Sequence, residues 1–116
     1  MAQLLFTVLV LSPFKAMQLH KNSGQKAELM AEDYLKVNGY HIIDRNWKTP
    51  VCEIDIIAKK DDCIYLVEVK YRKSNSWGSG LDYITTKKQQ QMAFAAECWV
   101  QSTRYRGDYT LAAIEV

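Results

Sequence analysis

The chain has 116 residues, of which 48% are hydrophobic and 24% charged, and its formal net charge is +2. That is room for one domain with one modest core, and the composition is that of an ordinary globular chain rather than a disordered or fibrous one. A balance so near neutral argues against binding by bulk positive charge, and Cys52, Cys63 and Cys98, without CxxC spacing, argue against a disulfide framework or zinc site. The thiols read as reduced, which suits a cytoplasmic location, and His20 and His41 offer no metal-ligand spacing.

Leu4 to Leu11 is apolar but too short to span a bilayer, and Met1-Ala2-Gln3 lacks the basic flank of a signal peptide. Residues 1–22 therefore read as a tail or an extra apolar strand that adds little to the core, with Met17 as an alternative start, and residues 23–116 read as the domain. From Ser23 the pattern is helical: Ala27, Met30, Ala31, Tyr34, Leu35 and Asn38 recur at three and four, and Asn38-Gly39 supplies the stop. Glu28 lies at the edge of this stripe, with Glu32 and Asp33 further from its centre. From position alone, Glu28 reads first as an acid favoured by the helix dipole. His41 to Trp47 reads as a strand broken by Lys48-Thr49-Pro50.

Cys52 to Arg72 is the most informative segment. Two β-branched and aromatic runs, Glu53–Ala58 and Ile64–Lys70, flank the polar Lys59 to Asp62 and read as a hairpin. With a two-residue turn at Asp61-Asp62, residues whose numbers sum to 123 face each other. Asp55 then stands opposite Glu68 and Glu53 opposite Lys70, at roughly 4.5–5.5 Å between Cα atoms. On the other face Ile54 meets Val69, Ile56 meets Val67 and Ala58 meets Tyr65. A cross-strand ion-pair ladder would explain Glu53 with Lys70, at about 0.2–1 kcal/mol per exposed pair. Three carboxylates to one lysine leave negative charge in excess, which a ladder does not explain and a bound cation does.

Beyond the hairpin, Ser74 to Gly80 reads as a loop, with Arg72 and Lys73 placed to meet phosphates or to form a solvated basic edge. A second helix starts near the N-cap Thr85 and carries the stripe Met92, Ala95, Ala96, Trp99; Lys88 lies on that face and Lys87 does not. Tyr109 to Val116 closes the chain as a strand. The elements favour a three-layer α/β domain with a mixed, mostly antiparallel central sheet.

In sequence order, Gly24-Gln25-Lys26-Ala27-Glu28, Gly39-Tyr40, Asn46, Glu53-Ile54-Asp55-Ile56-Ile57-Ala58, Val67-Glu68-Val69-Lys70 with Arg72, Ile84-Thr85 with Lys88, and Ala113-Ile114 resemble the YraN family of endonuclease-like proteins. Those belong with the PD-(D/E)xK nucleases and are related to archaeal Holliday-junction resolvases. The resemblance implies a restriction-endonuclease-like α/β/α core and metal-dependent cleavage of DNA, including branched or flapped forms. It implies Mg²⁺ or Mn²⁺ held by Asp55, Glu68 and the Val69 carbonyl, with Lys70 and Glu28 as further catalytic groups. Arg72, Lys73, Lys87, Lys88, Arg104 and Arg106 are the expected nucleic-acid contacts. DNA is the expected partner, a homodimer is compatible, and no membrane association is expected. Cys52 stands where the family usually has glycine, and Asp108-Tyr109-Thr110 replaces its Arg-Phe-Asp run. The alternative is a catalytically idle module that keeps the fold to bind nucleic acid or dock a protein.

Overall fold

A computed structural model describes residues 5–10, 23–71 and 84–116, with side chains from residue 26 onward. The elements are β1 (Leu5–Val10), α1 (Ser23–Val37), β2 (His41–Thr49), β3 (Cys52–Lys60), β4 (Cys63–Lys70), α2 (Thr86–Thr103) and β5 (Asp108–Glu115). The five strands form one sheet in the order β1-β5-β4-β3-β2. β2, β3 and β4 are antiparallel neighbours, whereas β5 runs parallel to both β4 and β1. The sheet is therefore mixed as expected, with parallel and antiparallel pairings evenly divided. The parallel half follows from α2, which carries the chain from the end of β4 back to the start of β5.

Local chemistry accounts for the boundaries. Helix α1 ends where Gly39 adopts φ +90°, a conformation open to glycine without a Cβ penalty. The β3–β4 turn places Asp61 and Asp62 at φ 52° and 63°, the two consecutive left-handed residues of a tight hairpin turn. The resulting register pairs Ile56 with Val67, Ala58 with Tyr65 and Lys60 with Cys63, each summing to 123. Thr85 caps α2, its Oγ1 accepting the Lys88 N–H at 3.1 Å.

Each face of the sheet is covered by one helix. Ala27, Ala31 and Leu35 of α1 pack on Ile56, Ala58, Val67, Ala112 and Ile114. On the other face Met92, Ala95, Ala96 and Trp99 of α2, the stripe read from the sequence, pack on Ile57, Ile64, Leu66 and Leu111. Alternate residues of the central strands thus go to opposite cores, as a sheet buried on both sides requires.

One expectation is corrected. Ile54 does not share a core with Ile56: it packs beneath α2, with Trp47, so side-chain alternation resets between them. The neighbouring strand breaks at the same place: Asn46 has φ 54° and sits between the pairs Arg45–Ile56 and Trp47–Ile54, and Arg45 and Trp47 turn to different faces. The charges consequently do not occupy one whole side of the hairpin; both sides are buried, and the acids gather at one end. Of the two readings of residues 1–22, the extra strand is the one seen at Leu5–Val10. It pairs with β5 from Leu5–Thr110 to Val10–Glu115 and covers an edge that is otherwise buried apolar sequence. No helix among the described residues is long and apolar enough to cross a membrane.

Candidate active site

The site lies where β3 begins and β4 ends. Cα pairing between these strands runs from Lys60–Cys63 to Ile56–Val67. One step further, the ladder gives way to a side chain: the Val69 N–H donates to Asp55 Oδ2 at 2.8 Å. Asp55 is thereby fixed against β4 while its other oxygen stays available. Glu68 is half-buried and approaches α2, where the Lys88 ammonium lies 2.8 Å from its Oε2. Asp55, Glu68, Glu53, Lys87 and Lys88 line one cleft of about 560 Å³.

Charge in the site is unbalanced. Burial pushes the Asp55 carboxyl up to about 6; the Val69 hydrogen bond opposes this, and Glu68, Glu28 and Glu53 add to it. Glu28, half-buried on α1, is also raised, first by burial and then by Glu53 and Glu68, against the lowering effect of its hydrogen bond with Asn46. Helix α1 therefore brings Glu28 toward the same group of acids. Glu53 is exposed and stands 4.0 Å from Lys48, its neighbour on β2.

Lys70 is exposed at the end of β4, two residues beyond Glu68, with its carbonyl accepting the Val116 N–H at 2.9 Å. Arg72 and Lys73 lie outside the described residues. Arg104 and Arg106 do not reach the cleft. Arg104 caps the far end of α2, sixteen residues and roughly 24 Å along the helix from Lys88. Among the described residues, Lys87 and Lys88 are the predicted nucleic-acid contacts that line the cleft.

The donor set suits a hard cation. Among the described residues no group of three or more His, Cys, Asp or Glu side chains converges to hold a metal ion. Two carboxylates, Asp55 and Glu68, supplemented by the Val69 carbonyl and water, are oxygen donors of the kind Mg²⁺ accepts. The upward push that Glu68, Glu28 and Glu53 add to burial at Asp55 is relieved by a positive charge among them. Cys52 also lines the cleft as a free thiol, and no histidine among the described residues does.

Sequence reasoning missed two features. Glu32, placed away from the α1 stripe, is 7% exposed, more deeply buried than Glu28. It is bound by both Arg45 Nε (2.9 Å) and Arg45 Nη2 and by Lys36 (3.1 Å), and Arg45 holds its carboxyl at about 2. The i,i+4 spacing of Glu28 and Glu32 was a usable signal that both share a face. Asn46 was noted only as a motif residue, although it both sits at the break in β2 and bonds Glu28. Cys52 shows no positive φ: its N–H donates to Thr49 Oγ1 at 3.2 Å, and the start of β3 remains extended in the absence of glycine.

Comparison with known proteins agrees with this pattern. Residues 27–114 match the model of uncharacterised protein family UPF0102. A UPF0102 protein of Desulfosudis oleivorans is 44% identical over 84 residues, covering 72% of this chain and 68% of that protein. One from Pseudomonas fluorescens is 37% identical over 82 residues (71% and 68%), and one from Vibrio campbellii 33% identical over 96 residues (80% and 79%). The matched span contains Glu28, Asp55, Glu68, Lys70 and Lys88, and on these grounds the chain belongs to the UPF0102, or YraN, family.

Proposed function

We propose that this protein is a cytoplasmic, metal-dependent endonuclease that hydrolyses phosphodiester bonds in DNA. The observation that carries the reading is the pair Asp55 and Glu68 in one cleft at a break in the β3–β4 ladder, with Glu28 and Glu53 near enough to act on Asp55, which is pushed up to about 6. A protein that only bound nucleic acid would need basic residues there and would gain nothing from clustered acids.

Asp55 and Glu68, with the Val69 carbonyl, would hold Mg²⁺ or Mn²⁺. The ion, when bound, supplies a more acidic water and screens charge building on the phosphate. The rest is the work of the chain. The Val69 N–H fixes the Asp55 carboxylate in one orientation, so its remaining oxygen is held ready for a ligand. Lys70 orients the attacking water or stabilises the crowded phosphate with its ammonium. Glu28, held by Asn46, positions a water at the α1 side. Lys88 pairs with Glu68 and, with Lys87, offers charge to the DNA backbone.

A specific observation favours a second reading. Glu68 already has a cation in Lys88, as a docking or binding module that has lost its metal would show. Incubation with linear, nicked, flapped and four-way-branched DNA in Mg²⁺ or Mn²⁺ separates the two. The nuclease reading expects metal-dependent cuts that disappear in Asp55→Ala and Glu68→Ala; intact substrates in every combination would favour the module.

A further inference from the structure

We infer that the cleft beside Asp55 and Glu68 receives an unpaired nucleotide, with Phe94 as the surface on which its base stacks. The inference rests on the nuclease reading and narrows its substrate to DNA with single-stranded character. Phe94 lies on α2 but takes no part in the inward stripe of Met92, Ala95, Ala96 and Trp99. It is 54% exposed, and it lines the same cleft as Asp55 and Glu68. Val51, 71% exposed at the β2–β3 turn, lines that cleft as well. Two large apolar side chains at the mouth of an acidic and basic cleft contribute nothing to phosphate binding or to metal binding.

Their neighbours indicate the occupant. Lys87, Gln91 and Phe94 are spaced by four and three residues, so they form one ridge along α2, and all three line the cleft. An ammonium, an amide and an aromatic face match the three parts of a nucleotide: phosphate, base edge and base face. Stacking of a base on an aromatic side chain is tolerant of sequence, because every base has a π-face. In a duplex each base is already stacked on its neighbours and cannot present that face to a side chain. Only an unpaired or splayed base can reach Phe94. A protein partner fits less well, since the exposed apolar part is one aromatic ring and one valine amid charges, with Met92 and Ala95 of the lining already buried in the core, far from a desolvated interface core.

The test measures binding of the full chain, in EDTA, to a blunt duplex, a single strand and a flapped duplex, with 2-aminopurine at an unpaired position. The wild type should bind the flap and the single strand more tightly than the duplex and quench the probe. Phe94→Ala should lose roughly 5- to 100-fold of affinity for the unpaired forms, the equivalent of one stacked base, while duplex binding stays the same. Phe94→Trp should restore both affinity and quenching. Phe94 is half-exposed, so an unchanged melting curve confirms that the variants fold. Equal loss on all three DNAs, no loss on any, or preference for a second copy of the chain over DNA overturns the inference. Failure of the parent reading looks different: Phe94-dependent stacking would persist while no DNA is cut in Mg²⁺ or Mn²⁺. Cleavage that needs Asp55 but ignores Phe94 and strand pairing leaves the nuclease reading and removes this one.

Discussion

Asp55→Asn should make the protein more stable at pH 8 in the absence of divalent ions. Asparagine is close in shape and its carbonyl can still accept the Val69 N–H, so the substitution removes charge and keeps the bond. The folded chain holds the Asp55 carboxyl at about 6 against an ordinary 3.8, chiefly through burial and then through Glu68, Glu28 and Glu53. A carboxyl raised on folding costs stability wherever it is ionised in both states, which is above about pH 6. The cost shrinks as pH falls and is gone below about 3.8. At 1.36 kcal/mol per pH unit the span corresponds to about 3 kcal/mol, and solvent screening of a half-buried group reduces it to about 1–2 kcal/mol. For a chain of this size that is a rise in Tm of roughly 3–10 °C. Thermal melts of both proteins in EDTA, at pH 8 and pH 4, measure it. The advantage should be large at pH 8 and small at pH 4. A variant that melts at or below the wild type at pH 8 would mean Asp55 is a stabilising member of an ion-pair ladder, and the account of an acid strained by its neighbours would be wrong.

Further outcomes follow from individual contacts. Lys88→Ala removes the ammonium bound to Glu68, so divalent-ion binding should tighten while DNA affinity falls; weaker ion binding by calorimetry would contradict the ion pair as a competitor. Lys70→Ala should spare ion binding and lower the cleavage rate on the order of 10²–10³, as loss of a positioned charge does, and an unchanged single-turnover rate would remove Lys70 from the chemistry. Arg45→Ala should lower Tm more than Lys36→Ala, because Arg45 is the main cause of the low Glu32 value. That stability is present above pH 4.5 and is lost as pH falls toward 2, so equal effects of the two variants in melts at pH 7 would refute it. A chain begun at Met17 lacks β1 and uncovers the β5 edge, so it should melt lower; an unchanged Tm would make β1 dispensable.

Much of this was legible because it is local. The 123 register depended on a turn at Asp61-Asp62, and acidic residues are among the few that accept the left-handed conformation both adopt. The α2 stripe and its Thr85 cap followed from helical periodicity alone. What failed was non-local. Ile54 was assigned to the wrong core because the break in alternation between Ile54 and Ile56 leaves no mark in the apolar pattern of β3 itself. Glu32 looked peripheral because its burial depends on Arg45, thirteen residues away on β2. Arg104 and Arg106 were grouped with Lys87 and Lys88 because net charge does not reveal that a helix about 27 Å long separates them. Leu4 to Leu11 was ambiguous because a short apolar run does not name its partner; β5 supplied the answer. The carboxylates themselves were found by spacing, but the hydrogen bond from Val69 that takes over from the ladder was not.

The central claim is that Asp55 and Glu68 together hold a divalent cation. Calorimetric titration of Mn²⁺ into the full chain, with and without flapped DNA, and into Asp55→Ala and Glu68→Ala, tests it without requiring turnover. The account predicts one binding event per chain in the wild type, strengthened by DNA and absent from both variants. A wild type that shows no heat of binding even with DNA present, or variants that bind as well as it does, would contradict it.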